Sequence, residues 1–164
     1  MRGRRTWIIA PVVLATLAFA GTLAAQDPAN VCSLSTSEEF QRAYGIHPQI
    51  GLLPDTPEFT AVTWGQHCDY ANGAIDLFTS SKELDRVLGL TKALKDRAPV
   101  PGLGKRAFFT VVYPGDPYRE RGLLAIDTGS RLLAISMDRK EGEPVATTRP
   151  KLEGLARLVV PRVK

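Results

Sequence analysis

The chain has 164 residues, a formal charge of +4 and 44% hydrophobic residues, which suits one globular domain preceded by a targeting segment. Three of its 21 basic residues, Arg2, Arg4 and Arg5, and none of its acidic ones lie in residues 1–25, so 18 basic face 17 acidic residues beyond them. That near-neutral balance excludes the basic stripe with which a nucleic-acid binder neutralises phosphates.

Residues 1–25 follow the order of a secretory signal peptide. Basic residues come first, then the apolar run Trp7 to Ala20, then small residues around Ala18-Phe19-Ala20 and Thr22-Leu23-Ala24-Ala25. Cleavage after Ala20, Ala24 or Ala25 fits this pattern. Trp7 to Ala25 is also long enough for an uncleaved membrane anchor, although Pro11 interrupts it, and Arg4-Arg5 admits a twin-arginine reading. The protein is therefore expected in the periplasm or outside the cell, touching a membrane only through an uncleaved leader. Residues 26–31 read as a polar spacer and 32–164 as a single domain. Cys32 follows Ala29-Asn30-Val31 and not a lipobox, so it does not read as a lipid-attachment site.

The two cysteines, Cys32 and Cys68, lack the Cys-x-x-Cys spacing of a redox or zinc site. In an oxidising compartment they can pair, and closing that loop stabilises a fold by about 3 to 4 kcal/mol in the chain-entropy account. Free or reactive thiols are the alternative.

In chain order, Thr36-Ser37-Glu38-Glu39 has the form of a capping box, followed by the apolar face Phe40, Ala43 and Tyr44 and a stop at Gly45. Residues 46–63, with Pro48, Pro54 and Pro57, read as a loop with room for one short edge strand. Residues 66–70 and 75–80 flank Asn72-Gly73, a strong hairpin signal. A second helix is expected from Ser80 or Ser81 to Pro99, its apolar face built from Leu84, Val87, Leu88, Thr91 and Leu94. Three β-rich runs follow at 107–113, 122–127 and 131–138. A last helix is capped by Thr147 or Thr148 with Pro150 in its first turn, burying Leu152, Leu155, Ala156 and Val159. The order α-ββ-α-βββ-α predicts an α+β domain, an antiparallel sheet of about five strands with helices mainly on one face.

Two motifs invite catalytic readings. An apolar run leading into Asp127-Thr128-Gly129-Ser130 matches the active-site loop of an aspartic protease, which needs two carboxylates sharing a proton and therefore a homodimer here. Only 34 residues follow Ser130, too few for the second motif of a retroviral-type protease. The competing reading is a hairpin turn with Asp127 bonded to its own backbone and Gly129 at positive φ. Gly102-Leu103-Gly104-Lys105-Arg106-Ala107 matches a relaxed dinucleotide fingerprint, yet it leads into a strand where that motif requires a helix. His47 and His67 are the only histidines, too few to define a Ser/His/Asp set, and no motif calls for a metal or cofactor. The most exposed connection, Pro114 to Arg121, carries Asp116, Tyr118, Arg119 and Arg121. Beside the sheet face left bare by the helices, these are the candidate contacts for a small ligand or an envelope protein.

Cys32-Ser33-Leu34-Ser35-Thr36-x-x-Glu39-Phe40, Cys68-Asp69-Tyr70, Val100-Pro101-Gly102-Leu103-Gly104-Lys105-Arg106-Ala107-Phe108 and Arg131-Leu132-Leu133-Ala134-Ile135-Ser136 follow one another in a familiar order. The chain resembles a group of exported bacterial envelope domains of unknown function, often lipoproteins. These open Cys-Ser-Leu-Leu-Thr-x-x-Glu, continue with Cys-x-Tyr or Cys-x-Trp, and carry Gly-Leu-Gly-Asp-x-Ala-Tyr. The resemblance implies a two-layer α+β domain with bonded cysteines and no catalytic residues to carry over. Lys105 stands where the group has an acidic residue, and the lipobox is missing. The expected function is an exported, non-enzymatic binding or accessory module. A homodimeric aspartic protease using Asp127 and a structural, leader-anchored envelope protein are the alternatives.

Overall fold

A computed structural model describes residues 30–46, 56–84, 95–112, 120–140 and 142–163. The leader, most of the spacer and the middle of the expected second helix lie outside the described residues, as do Asp116, Tyr118 and Arg119. Seven strands form one antiparallel sheet: β1 Glu58–Val62, β2 Gly65–Tyr70, β3 Gly73–Phe78, β4 Lys95–Pro99, β5 Arg106–Val112, β6 Arg121–Asp127 and β7 Leu132–Asp138. Their spatial order is β1-β2-β3-β7-β6-β5-β4. Two meanders, β1 to β3 and β4 to β7, thus meet where β7 pairs with β3.

The expected sheet of about five strands with helices mainly on one face is corrected by this arrangement. β1 and β4 are the additional strands, each at an edge, and the described residues are mostly sheet, with two α-helices, α1 Ser37–Tyr44 and α2 Val145–Val159. Lys95–Pro99, expected to finish a helix, pairs with β5 instead. The reason is local: Pro99 biases Ala98 toward extended backbone and is tolerated in a strand at an edge. Upstream, Glu83 and Leu84 are helical.

Both faces of the sheet are apolar near its centre, so β7 is buried along its whole length. On the first face Ile75, Leu77, Leu124, Ile126, Leu133, Ile135 and Met137 meet Phe40 and Tyr44 of α1 and Leu152, Leu155, Ala156 and Val159 of α2. The second face has its own cluster of Phe78, Leu123, Ala125, Leu132 and Ala134, joined by Leu84. Burial on both sides explains why β6 and β7 read as nearly continuous apolar runs without alternation.

The capping box of α1 forms as its sequence requires. Thr36 Oγ1 accepts from the Glu39 amide, Glu39 Oε2 accepts from the Thr36 amide, and Gly45 ends the helix at φ +90°. Its ring Phe40 stacks on Tyr70 with centroids 4.3 Å apart, and the Tyr70 hydroxyl donates to Ser35 O at 2.9 Å. Burial pushes the Tyr70 phenol up to about 12. Ahead of α1, Val31–Leu34 makes a 3-10 turn in which Val31, assigned to the spacer by sequence, is fully buried. Cys32 in that turn is bonded to Cys68 of β2 with Cα atoms 5.2 Å apart.

The last helix begins earlier than its sequence suggests. Pro144 occupies the N-cap position and no side chain caps it. Thr148 is buried against the sheet, its hydroxyl without a partner among the described residues, and Pro150 sits inside the helix, beyond the first turn. The close approach is permitted by Gly122, where a Cβ would lie 2.5 Å from Thr148 Cγ2.

Candidate functional site

Cross-strand partners share a face, so the registers place the polar side chains of the second face on β1, β2 and β3, on β7, and at the Arg121 end of β6. β1 contributes Glu58 and Thr60, which pair with Asp69 and His67 of β2. His67 pairs in turn with Asp76 of β3, and Ser136 of β7 pairs with Ala74. Arg121 and Asp138 pair across β6 and β7. The polar half of this face is therefore the β1–β2 side together with the end at Arg121 and Asp138, while the apolar cluster fills the region around Phe78, Leu123, Ala125, Leu132 and Ala134.

Three interactions organise the polar half. His67 Nδ1 lies 2.6 Å from Asp76 Oδ1, and this bond raises the imidazole pKa above its ordinary value despite partial desolvation, with Asp69 adding attraction. Arg121 Nε donates to Asp138 Oδ1 at 2.6 Å, where the carboxylate is almost fully buried. Glu58 and Asp69 face each other across the ladder, both exposed, and neither has a counter-ion among the described residues.

Between these groups lies an open concavity of about 550 Å³, lined by Thr56, Glu58, Asp69, Tyr70, Ala71, Arg121 and Asp138. Of the residues singled out beforehand, Arg121 alone is placed at this concavity. Asp116, Tyr118 and Arg119 lie outside the described residues. Glu58, Asp69, Asp76 and Asp138 were not anticipated from sequence. The loop of this hairpin is Ala71-Asn72, one residue earlier than the expected Asn72-Gly73 turn, because Tyr70 pairs with Gly73; counting outward from the expected turn sets His67 opposite Phe78, whereas it lies opposite Asp76.

The arrangement limits the chemistry available. Ser136 shares the face with His67, but β3 lies between their strands, and two strand spacings separate them by roughly 10 Å. A hydroxyl that far from the imidazole does not form a nucleophile–base pair. Among the described residues no cluster of His, Cys, Asp or Glu has the form of a metal site, and no helix is long and apolar enough to cross a membrane.

The two catalytic-looking motifs meet at the opposite end of the sheet. Asp127 Oδ1 accepts from the Gly129 amide at 2.8 Å, and Gly129 has φ +109°, the geometry of a side-chain-capped turn. The other Asp127 oxygen lies 3.6 Å from Arg106 Nε. Gly102 and Gly104, at φ +78° and +60°, shape the loop that packs on this turn, where the Lys105 amide donates to Asp127 O at 2.7 Å. Each glycine motif thus leads into a strand and supports its neighbour's backbone. No protein-family model matches the chain, and no curated protein matches it.

Proposed function

We propose that this chain is an exported, non-enzymatic binding module of the bacterial cell envelope, and that it contacts its ligand or partner through the concave polar part of the sheet around Glu58, Asp69 and Arg121. The observation that carries this reading is the Glu58–Asp69 opposition. Like charges directly opposite each other in a ladder are destabilising. Here they stand exposed at the rim of a concavity whose guanidinium, Arg121, is already engaged by Asp138. A positively charged group, such as an amine or guanidinium of an envelope protein or of a small ligand, offsets that repulsion. The open, polar lining suits such a group better than an apolar one. Export is supported by the leader pattern of residues 1–25 and by the Cys32–Cys68 bond, which persists in oxidising compartments.

The test is an NMR titration of the purified chain with a lysine-rich peptide and with spermidine, using an aspartate-rich peptide as control. Shifts at the amides of Glu58, Asp69 and Arg121 are expected with the cationic probes alone. Glu58→Gln combined with Asp69→Asn should weaken binding by about tenfold or more. Equal affinity in that double variant, or no shifts with either cation, refutes the reading.

A further inference from the structure

The two edges of the sheet are guarded differently. β4 contains Lys95, Arg97 and Pro99, and its register with β5 shifts between Lys95 and Ala98. These are devices that keep an edge strand from recruiting another. β1 has none of them. Glu58–Val62 pairs with β2 residue for residue, contains no Lys, Arg or Pro, and leaves Phe59 43% exposed. No described strand pairs with its outer side.

The two-residue loop Thr63-Trp64 fixes the phase of this hairpin. Val62 and Gly65 are the register partners that close it, and a two-residue loop closes on a hydrogen-bonded pair, so Glu58, Thr60 and Val62 turn their N–H and C=O groups toward β2. Phe59 and Ala61 therefore turn theirs outward, onto the free edge.

We propose that β1 is a dimerisation edge, on which a second copy of this chain adds antiparallel about a two-fold axis through Thr60. That axis is the placement that pairs all of β1 with itself while matching outward groups to outward groups. Phe59 then exchanges main-chain hydrogen bonds with Ala61 of the second copy, and Ala61 with its Phe59. On the first face a large side chain lies beside a small one. On the second face Thr60 lies opposite Thr60, a favourable cross-strand pair, and Glu58 lies opposite Val62, away from its own copy. A one-residue slip would send Phe59 to the wrong face, and an axis through Glu58 would set two carboxylates against each other. An edge of five residues falls short of the roughly 1,000 Å² that a stable interface buries, so the dimer is weak and concentration-dependent.

Cysteine cross-linking tests the register. In the proposed dimer the two Thr60 residues form a non-hydrogen-bonded pair with Cα atoms about 4.5 Å apart, within disulfide reach. Under mild oxidation at roughly millimolar concentration, purified Thr60→Cys is expected to yield a disulfide-linked dimer on a non-reducing gel. Glu58→Cys, exposed on the same face, should yield about tenfold less. Adding Ala61→Pro to Thr60→Cys removes an outward N–H while leaving the ladder to β2 intact, and should abolish the cross-link. Sedimentation of the unmodified chain should show mass rising with concentration, and Ala61→Pro should show none of that rise. Intact mass showing the Cys32–Cys68 bond establishes that each variant is folded. Equal cross-linking at positions 58 and 60, a cross-link that survives Ala61→Pro, or a monomer at every concentration overturns the proposal.

Discussion

His67 Nδ1 and Asp76 Oδ1 lie 2.6 Å apart across the β2–β3 ladder, with neither side chain more than about a third exposed. The bond to Asp76 raises the imidazole pKa above 6.5, so folding favours the protonated ring. A raised folded-state pKa contributes stability that is fully present below the unfolded value and is lost as pH rises through the folded one. Asp76→Asn should therefore destabilise the protein by about 1 kcal/mol in the protonated range, discounted for partial exposure, and by less at alkaline pH. Denaturant unfolding on both sides of neutrality measures this difference. An NMR titration should show the His67 midpoint falling in the variant, and an unchanged midpoint would mean that the pair does not set it.

Glu39 links both ends of the described chain. Its two carboxylate oxygens each accept from Arg162 at 2.7 Å, and Arg162 also donates to Leu34 O at 2.8 Å. The guanidinium hydrogen bond, aided by the Thr36 amide and opposed by partial burial, holds the Glu39 carboxyl at about 2. A depressed pKa contributes stability present above the unfolded value and lost as pH falls toward the folded one. Glu39→Gln retains the capping geometry, because glutamine also serves at that position, but loses the charge. It is expected to cost about 1 kcal/mol near neutral pH after discounting for solvent screening, with the gap to the parent closing below about pH 4. An acid titration of both proteins followed by circular dichroism reads this convergence.

Gly102 and Gly104 separate two reasons for a glycine. Both have φ in the left-handed region, where an L side chain costs about 1 kcal/mol. A Cβ on Gly102 meets nothing within 4 Å, whereas one on Gly104 would lie 2.3 Å from Asp127 O and 2.9 Å from Ile126 Cγ2. Gly102→Ala should therefore cost about 1 kcal/mol, and Gly104→Ala at least about twice that because two backbones must separate. Thermal unfolding of the two variants side by side checks the order.

The same pair shows where sequence reasoning reaches and where it stops. Turn glycines, the Thr36–Glu39 cap and the existence of the β2–β3 hairpin were legible because their signals lie within a few residues of one another, although the hairpin's loop is Ala71-Asn72, one residue before the expected Asn72-Gly73. Lys95–Pro99 was not, because a strand without alternation is specified by its neighbour β5 and not by its own pattern. The early start of α2 was hidden because Thr148 resembles a cap, yet it is placed by its contact with Gly122, a feature of the folded sheet. The polar concavity needed both hairpin registers and the β3–β7 junction, which joins segments more than fifty residues apart. No local periodicity encodes such a junction.

Asp127 carries the last prediction, because it separates the binding module from the protease alternative. An aspartic protease dyad requires a carboxylate free to face its counterpart and share a proton. Here the Asp127 residue is 7% exposed, one oxygen accepts from the Gly129 amide, and the other faces Arg106 at 3.6 Å. Asparagine can keep the acceptor for Gly129, so Asp127→Asn should fold and lose less than about 1 kcal/mol. Asp127→Ala leaves the Gly129 amide without its partner and should cost about 1 to 2 kcal/mol. Incubated with an unfolded substrate at acidic pH, the parent protein and Asp127→Asn are both expected to leave it intact. Cleavage by the parent that disappears in Asp127→Asn would show that the carboxylate leaves its turn to act in a dimer, and would replace the binding reading with a proteolytic one.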